Sequence, residues 1–236
     1  MTKEKPRVIV VAGPQSSGKS TALAWLEEKP SVVILPEVNP ASLTGHQLGG
    51  LASNEAVEQA IVDEDLRQVT NQLEQLEAGG GERVLVWETG PFHLVYGHHY
   101  RLPNVDQLSQ RYRDLLDRTQ PGLIFIETKP EVSWRRRQDN YQRRVAQFLA
   151  QEGPMDSKEK QEKARQLLDQ YRQRLEALYP FWQRQLREWP HPQVVIANND
   201  LSFDQFRAEV EQAFEKLLLS WGRHRVIQEE GNDNEH

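Results

Sequence analysis

Five short apolar runs separated by helical patterns predict an α/β fold: a parallel sheet with helices on both faces. Three observations carry this. The runs are rich in Val and Ile, they show no polar alternation, and helix-period segments lie between successive runs. Strand–helix–strand order of this kind gives right-handed crossovers and a sheet buried on both sides.

The predicted strands are Val8–Ala12, Val32–Leu35, Val84–Trp87, Leu123–Ile126 and Val194–Ala197. After the first strand, Ala22, Leu23, Trp25 and Leu26 mark a helix. Val62, Leu66, Val69, Leu73 and Leu76 recur at spacings of 3 and 4 and predict one long helix from Asn54 to Ala78, ended by Gly79-Gly80-Gly81. Val105, Leu108, Tyr112, Leu115 and Leu116 mark the next. Ala164, Leu167, Tyr171, Leu175 and Leu178 mark another, which Pro180 is expected to kink or break. Phe203, Phe206, Val210, Phe214 and Leu217 mark the last. From about 223 to 236 the periodicity stops and the composition turns polar, which predicts a disordered tail. Residues 1–222 read as a single domain.

The 236 residues suffice for a substantial core. The net charge of -6 argues against a general nucleic-acid coat. The absence of cysteine removes disulfides, thiolate metal sites and a cysteine nucleophile. No run approaches the ~18 apolar residues of a membrane span, so a cytoplasmic protein is expected.

The stretch GPQSSGKS, Gly13 to Ser20, fits G-x-x-x-x-G-K-[ST] without mismatch, between a strand and a helix. Gly13 and Gly18 let the backbone wrap an anion. Pro14, Gln15, Ser16, Ser17 and Thr21 complete the loop and the start of a helix whose positive end faces that anion. Lys19 reaches the β- and γ-phosphates and Ser20 offers a hydroxyl to Mg²⁺. The expected ligands are ATP and Mg²⁺.

Two carboxylates follow strands at the edge where ligands of such sheets lie. Glu88, in VLVWETG, is placed to hold Mg²⁺ through water, making Ser20 and Glu88 the metal pair. Glu37, in VVILPEVNP, is placed to take a proton from an acceptor hydroxyl. The segment ETKPEVSWRRRQDNYQRRVAQFL holds Arg135, Arg136, Arg137, Arg143 and Arg144. Guanidinium groups stabilise the charge that spreads over a transferring phosphoryl group. Most of the five belong to a solvated face and one to three point inward. Arg135 and Arg143 are taken as the catalytic candidates beside Lys19, Glu37 and Glu88.

In this order these residues resemble the thymidylate kinase and deoxynucleoside kinase group of P-loop kinases. The resemblance covers about 215 residues in element order, and the phosphate loop is its specific part. It implies the P-loop NTPase fold, a five-stranded parallel sheet of order 2-3-1-4-5 flanked by helices, with an Arg-rich helical lid at about 135–160. In deoxynucleoside kinases a Glu after the second strand is the base towards the sugar hydroxyl, and Glu37 in LPE matches it. The group carries an acidic–Arg pair after the third strand; Glu88-Thr89-Gly90 keeps the acid and has threonine for the arginine. KPEVSWRRR looks like the start of the group's lid. YRQRLEALYPFW is similar to the helix before its last strand. VVIANNDLSFDQF is similar to its closing strand and loop, which border the adenine, with Asn198 and Asn199 the candidates.

Acceptor contacts are expected in Pro36 to Gly50 and in Thr89 to Asn104. In the second, Phe92, Tyr96 or Tyr100 offers a ring for stacking, and Arg101 could stand in for the missing arginine. Core packing is the competing role for these rings. His98-His99 is no metal pair, since neighbours on a strand point opposite ways.

The leading reading is an ATP-dependent kinase acting on a small molecule, a nucleoside, a nucleoside monophosphate or another alcohol. The alternatives are a regulatory P-loop NTPase acting through a protein partner and a kinase of nucleic-acid ends. Dimers are common in the resembled group, and the long second helix could pair two copies into a homodimer.

Overall fold

The computed structural model describes residues 7–38, 55–79, 83–151 and 156–232, with side chains to Trp221. Five parallel strands form one sheet: β1 Arg7–Ala12, β2 Val32–Leu35, β3 Val84–Glu88, β4 Gly122–Glu127 and β5 Gln193–Ala197. Their order is β2-β3-β1-β4-β5, the order expected for a P-loop NTPase. β1 is central, with Val11 opposite Glu88 of β3 and Ala12 opposite Phe125 of β4.

The alternation missing from the sequence is present in space, because both faces are apolar. Val8, Val10, Leu85, Trp87, Leu123 and Phe125 pack on one side. They meet α2 (Glu55–Gly79), α4 (Val105–Thr119) and α6 (Ser157–Arg187). Ile9, Val11, Val86, Ile124 and Ile126 point to the other side, against α1 (Lys19–Glu27) and α7 (Phe203–Asn232). Each such side chain stabilises the fold by about 1.5–3 kcal/mol when removed from water. The edge strands are less covered than expected. Val32 to Ile34 are half-buried and Val195 in β5 is 44% exposed, since an edge strand has a neighbour on one side only.

Trp87 and Tyr112 each donate to one carboxylate, Asp65 of α2, at 2.9 and 2.7 Å. Glu58 on the same helix pairs with His93 at 2.6 Å. Burial pushes the Asp65 carboxyl above its usual range, against the two hydrogen bonds that lower it.

Three expectations change. Pro180 lies inside α6, which continues through it. The proline cannot bond the Glu176 carbonyl, but Leu175, Leu178, Trp182 and Leu186 on both sides are buried and hold the helix to the sheet. The segment after β3 is helical: a 3-10 turn at Gly90–Leu94 and a short α3 at Val95–His99. His98-His99 is therefore a helical pair rather than a strand pair. Finally, α7 continues to Asn232, into the stretch read as a tail. That stretch has no proline, so a helix can extend through it without apolar periodicity.

The Arg-rich segment forms α5 (Pro130–Gln151), antiparallel partner of α6, whose N-cap Asp156 accepts 2.8 Å bonds from the Lys158 and Glu159 amides. At the other end Tyr179 and Gln183 of α6 donate to Glu127, at the end of β4, at 2.8 and 2.7 Å. The expectations for acceptor residues 39–50 and for Gly80-Gly81 lie outside the described residues. Among those described, no helix is long and apolar enough to cross a membrane.

Candidate functional site

A cleft of about 580 Å³ opens at the carboxyl edge of the sheet, over the phosphate loop. β1 delivers the chain into that loop and α1 carries it away. Gly13 has φ +152°, and a Cβ there would strike the Ile126 carbonyl oxygen. Gly18 has φ +107°, and a Cβ there would lie 2.8 Å from the Phe206 ring. Ser16 adopts φ +60° between them. Backbone of this shape turns successive amides inward. No side chain caps α1 at Gly18, so its first amides stay open to an anion.

Lys19 donates from Nζ to the Gly13 carbonyl at 2.8 Å and the Pro14 carbonyl at 3.3 Å. It lies 5.8 Å from the Trp182 ring centroid. Burial lowers its pKa, Glu37 and Glu88 oppose that fall, and Arg137 adds to it. Both carboxylates line the same cleft, and the Glu37 amide donates to Glu88 Oε2 at 3.1 Å. A sharp turn aims Glu88: Thr89 has φ +63° and donates its amide to Val11, and Gly90 has φ +50°. A Cβ on Gly90 would come within 3.2 Å of the Trp87 ring.

Asn198 braces the loop. Its Nδ2 donates to the Ser17 carbonyl at 2.7 Å, and its side chain is buried. Arg136 adds two backbone carbonyls and a side chain to this brace, donating to the Ser16 carbonyl at 3.3 Å and to Asn198 Oδ1 and the Asn199 carbonyl at 3.4 Å. Gln15 is the second junction. It donates to the Tyr96 hydroxyl at 2.9 Å and accepts from the Tyr141 hydroxyl at 2.8 Å and from Arg137 at 3.3 Å. Tyr96 is pushed up to about 12 by burial and by Glu37, partly offset by Gln15 and Arg174.

A family model for the AAA domain matches residues 8–202. The chain belongs to this family of P-loop NTPases. No curated protein matches the sequence. The AAA-domain match makes the loop a nucleotide-binding site in general and does not distinguish transfer from hydrolysis.

In this NTPase domain the expected site residues fall into three groups. Gln15, Ser16, Gly18, Lys19, Ser20, Thr21, Glu37, Glu88 and Asn198 line the cleft. Gly13, Pro14 and Ser17 lie beneath it and shape the loop; Ser17 is 1% exposed. Arg135 and Arg143 are exposed and away from the cleft, Arg143 donating to its own helix at Asp139. Arg136 and Arg137 line the cleft instead. Val132, Ser133, Tyr141 and Val145 form the buried stripe of α5. Arg136 and Arg137 follow Val132 and Ser133 by four residues and share that side, whereas Arg135 and Arg143 stand two residues from Ser133 and Tyr141 and face away.

Other expectations also shift. Phe92 is a core residue, 1% exposed and stacked 6.0 Å from Trp182. Arg101 is exposed and does not line the cleft. Asn199 accepts the Lys129 amide through Oδ1, tying down the loop after β4. The sequence reading overlooked Tyr141, Trp182, Leu201 and the 66% exposed Phe203, which stands against Trp25 with ring centroids 4.9 Å apart.

The donor set fits a nucleotide with Mg²⁺: open amides at α1, a lysine bonded only to loop carbonyls among the described residues, and a hydroxyl and two carboxylates on one cleft. Ser20 and Glu88 are the residues that would hold the metal, as in other hard-cation sites built from oxygen ligands.

Proposed function

We propose that the protein is an ATP-dependent kinase that transfers the γ-phosphate to a small-molecule acceptor, a nucleoside or a nucleoside monophosphate. The observation that carries this reading is the carboxylate pair beside the phosphate-loop lysine. Glu37 and Glu88 share a cleft with Lys19, and the Glu37 backbone is tied to Glu88. One carboxylate suits the metal, and a second one facing the cleft suits a base that takes the proton of the attacking group, which this reading assigns to an acceptor hydroxyl.

In this account Lys19 leaves the Gly13 and Pro14 carbonyls for phosphate oxygens. Glu37 takes the proton of the acceptor hydroxyl as its oxygen bonds to the γ-phosphorus. The bond from that phosphorus to the β–γ bridging oxygen breaks, and ADP leaves. Arg136 and Arg137 neutralise the spreading charge from the lid side. Ser20 and Glu88 would hold Mg²⁺, which would supply further neutralisation of the phosphate charge. The resemblance to deoxynucleoside kinases supports the same role for Glu37.

Glu37→Gln tests the reading. It should lower the transfer rate about 10²–10⁴-fold, the span of a lost general base, with ATP affinity unchanged. An unaltered rate removes Glu37 from the mechanism. The second reading, a regulatory NTPase, is favoured by Thr89, whose side chain is buried where the kinase group carries an arginine. It predicts ATP hydrolysis with no phosphorylated product.

A further inference from the structure

Beside the cleft, α3 and α6 bring one cation against two rings. Arg174 of α6 lies 5.4 Å from the Tyr96 ring centroid and 5.6 Å from that of Tyr100. Among the described residues no carboxylate lies within ion-pair distance of it. Its Nε is shut off from solvent and has no hydrogen-bond partner. A guanidinium lying against aromatic rings is held in orientation by them, and with Nε closed off its two terminal nitrogens form the edge left to a ligand. That edge is the part that grips carboxylate or phosphate with two parallel bonds.

The position ties this cation to the chemistry. Tyr96 lines the cleft, hydrogen-bonds Gln15 of the phosphate loop and feels the Glu37 charge. Arg174 is thus one ring away from the groups proposed to act on the acceptor. The other arginines of the cleft are engaged: Arg136 with the phosphate loop and β5 end, Arg137 with Gln15.

We propose that Arg174, stacked on Tyr96 and Tyr100, is an anion-binding residue of the acceptor site, and that the acceptor carries a phosphate or carboxylate group in addition to the oxygen that is phosphorylated. The class is a small hydroxylated molecule with an anionic end, which narrows the two acceptors named above to the nucleoside monophosphate and makes neutral nucleosides and sugars poor acceptors. This rests on the kinase reading only in calling the ligand an acceptor, because the anion can bind without any transfer.

The test is calorimetric titration of the full chain, with the phosphate loop filled by a non-hydrolysable ATP analogue and Mg²⁺. The probes are thymidine against thymidine 5′-monophosphate, and glycerol against glycerol 3-phosphate and glycerate. The wild type should bind the anionic member of at least one set about tenfold or more tightly than its neutral partner. Tighter binding of the phosphates identifies a phosphate site; tighter binding of glycerate alone identifies a carboxylate site. Arg174→Gln should erase the difference while affinity for the ATP analogue stays put, and Arg174→Lys should keep part of it. The lysine variant decides the matter if the glutamine variant does not fold. Equal binding of charged and neutral partners by the wild type, or an undiminished preference in Arg174→Gln, overturns the proposal. Anion-selective binding without phosphoryl transfer would sink the kinase reading and leave this site standing. Transfer to thymidine or glycerol as readily as to their phosphates would do the reverse.

Discussion

Replacing Gly18 by alanine tests whether the loop shape is set by contacts outside the loop. The new Cβ would lie 2.8 and 2.9 Å from two carbons of the Phe206 ring and 3.0 Å from Asn198 Nδ2. Its φ of +107° also falls outside the region open to L-residues. The left-handed backbone costs about 1–2 kcal/mol, and forcing a methyl into a packed site about 1–3 kcal/mol. The two together give roughly 2–5 kcal/mol. In a domain of this size each kcal/mol moves the melting temperature by about 2–4 °C, so a fall of roughly 4–20 °C is expected. Gly79 is the matched control. It ends α2, and a Cβ there meets nothing within 4 Å. Gly79→Ala should be neutral or stabilising by about 0.4–1 kcal/mol. Calorimetric melting of both variants checks this, with ATP-analogue binding as second readout. Gly18→Ala should lose ATP affinity as well as stability, because Asn198 also holds the Ser17 carbonyl. If it melts with the wild type and binds ATP normally, then Phe206 and Asn198 do not set the loop.

Three further variants probe separate parts. For Asp65, whose folded pKa is raised above its ordinary 3.8, folding favours the protonated form. Its contribution is therefore full at pH below 3.8 and is lost as pH rises through the folded value. Asp65→Asn can still accept from Trp87 and donate to the Tyr112 hydroxyl, so the wild type should lose ground to it as denaturant midpoints are followed upward from pH 4; a constant gap would contradict the burial argument. Arg137→Gln should depress phosphoryl transfer about tenfold or more, as expected for a charge acting on the transferring group, while Arg143→Gln leaves it unchanged. Equal effects in label-transfer assays would mean that the facing of α5 has been misjudged.

The phosphate loop was legible in the sequence because its function is local: strand, six loop residues and helix follow one another, and backbone geometry does the binding. The five strands were legible because both faces of the sheet are covered. Arg137 leaves a trace in the sequence, since stepping back four residues from Tyr141 in the stripe Tyr141, Val145, Leu149 reaches it. A run of three arginines hides that trace by offering every face at once. Asn198 could be placed near the nucleotide, but its grip on Ser17, 181 residues away, depends on β5 lying beside β4. The Gln15 junction, joining Tyr96 and Tyr141 from two different helices, has no local signature at all. Pro180 misleads because a proline's cost is local while the burial that outweighs it comes from the sheet.

The central claim is that phosphate leaves ATP for another molecule. The most direct measurement incubates the protein with Mg²⁺ and γ-labelled ATP and pooled nucleosides, nucleotides and small hydroxylated anions, and follows the label, with Lys19→Ala alongside. The account predicts a labelled organic product from the wild type and none from Lys19→Ala, which remains folded. Label appearing only as inorganic phosphate, or retained in bound ATP across the whole pool, would contradict it.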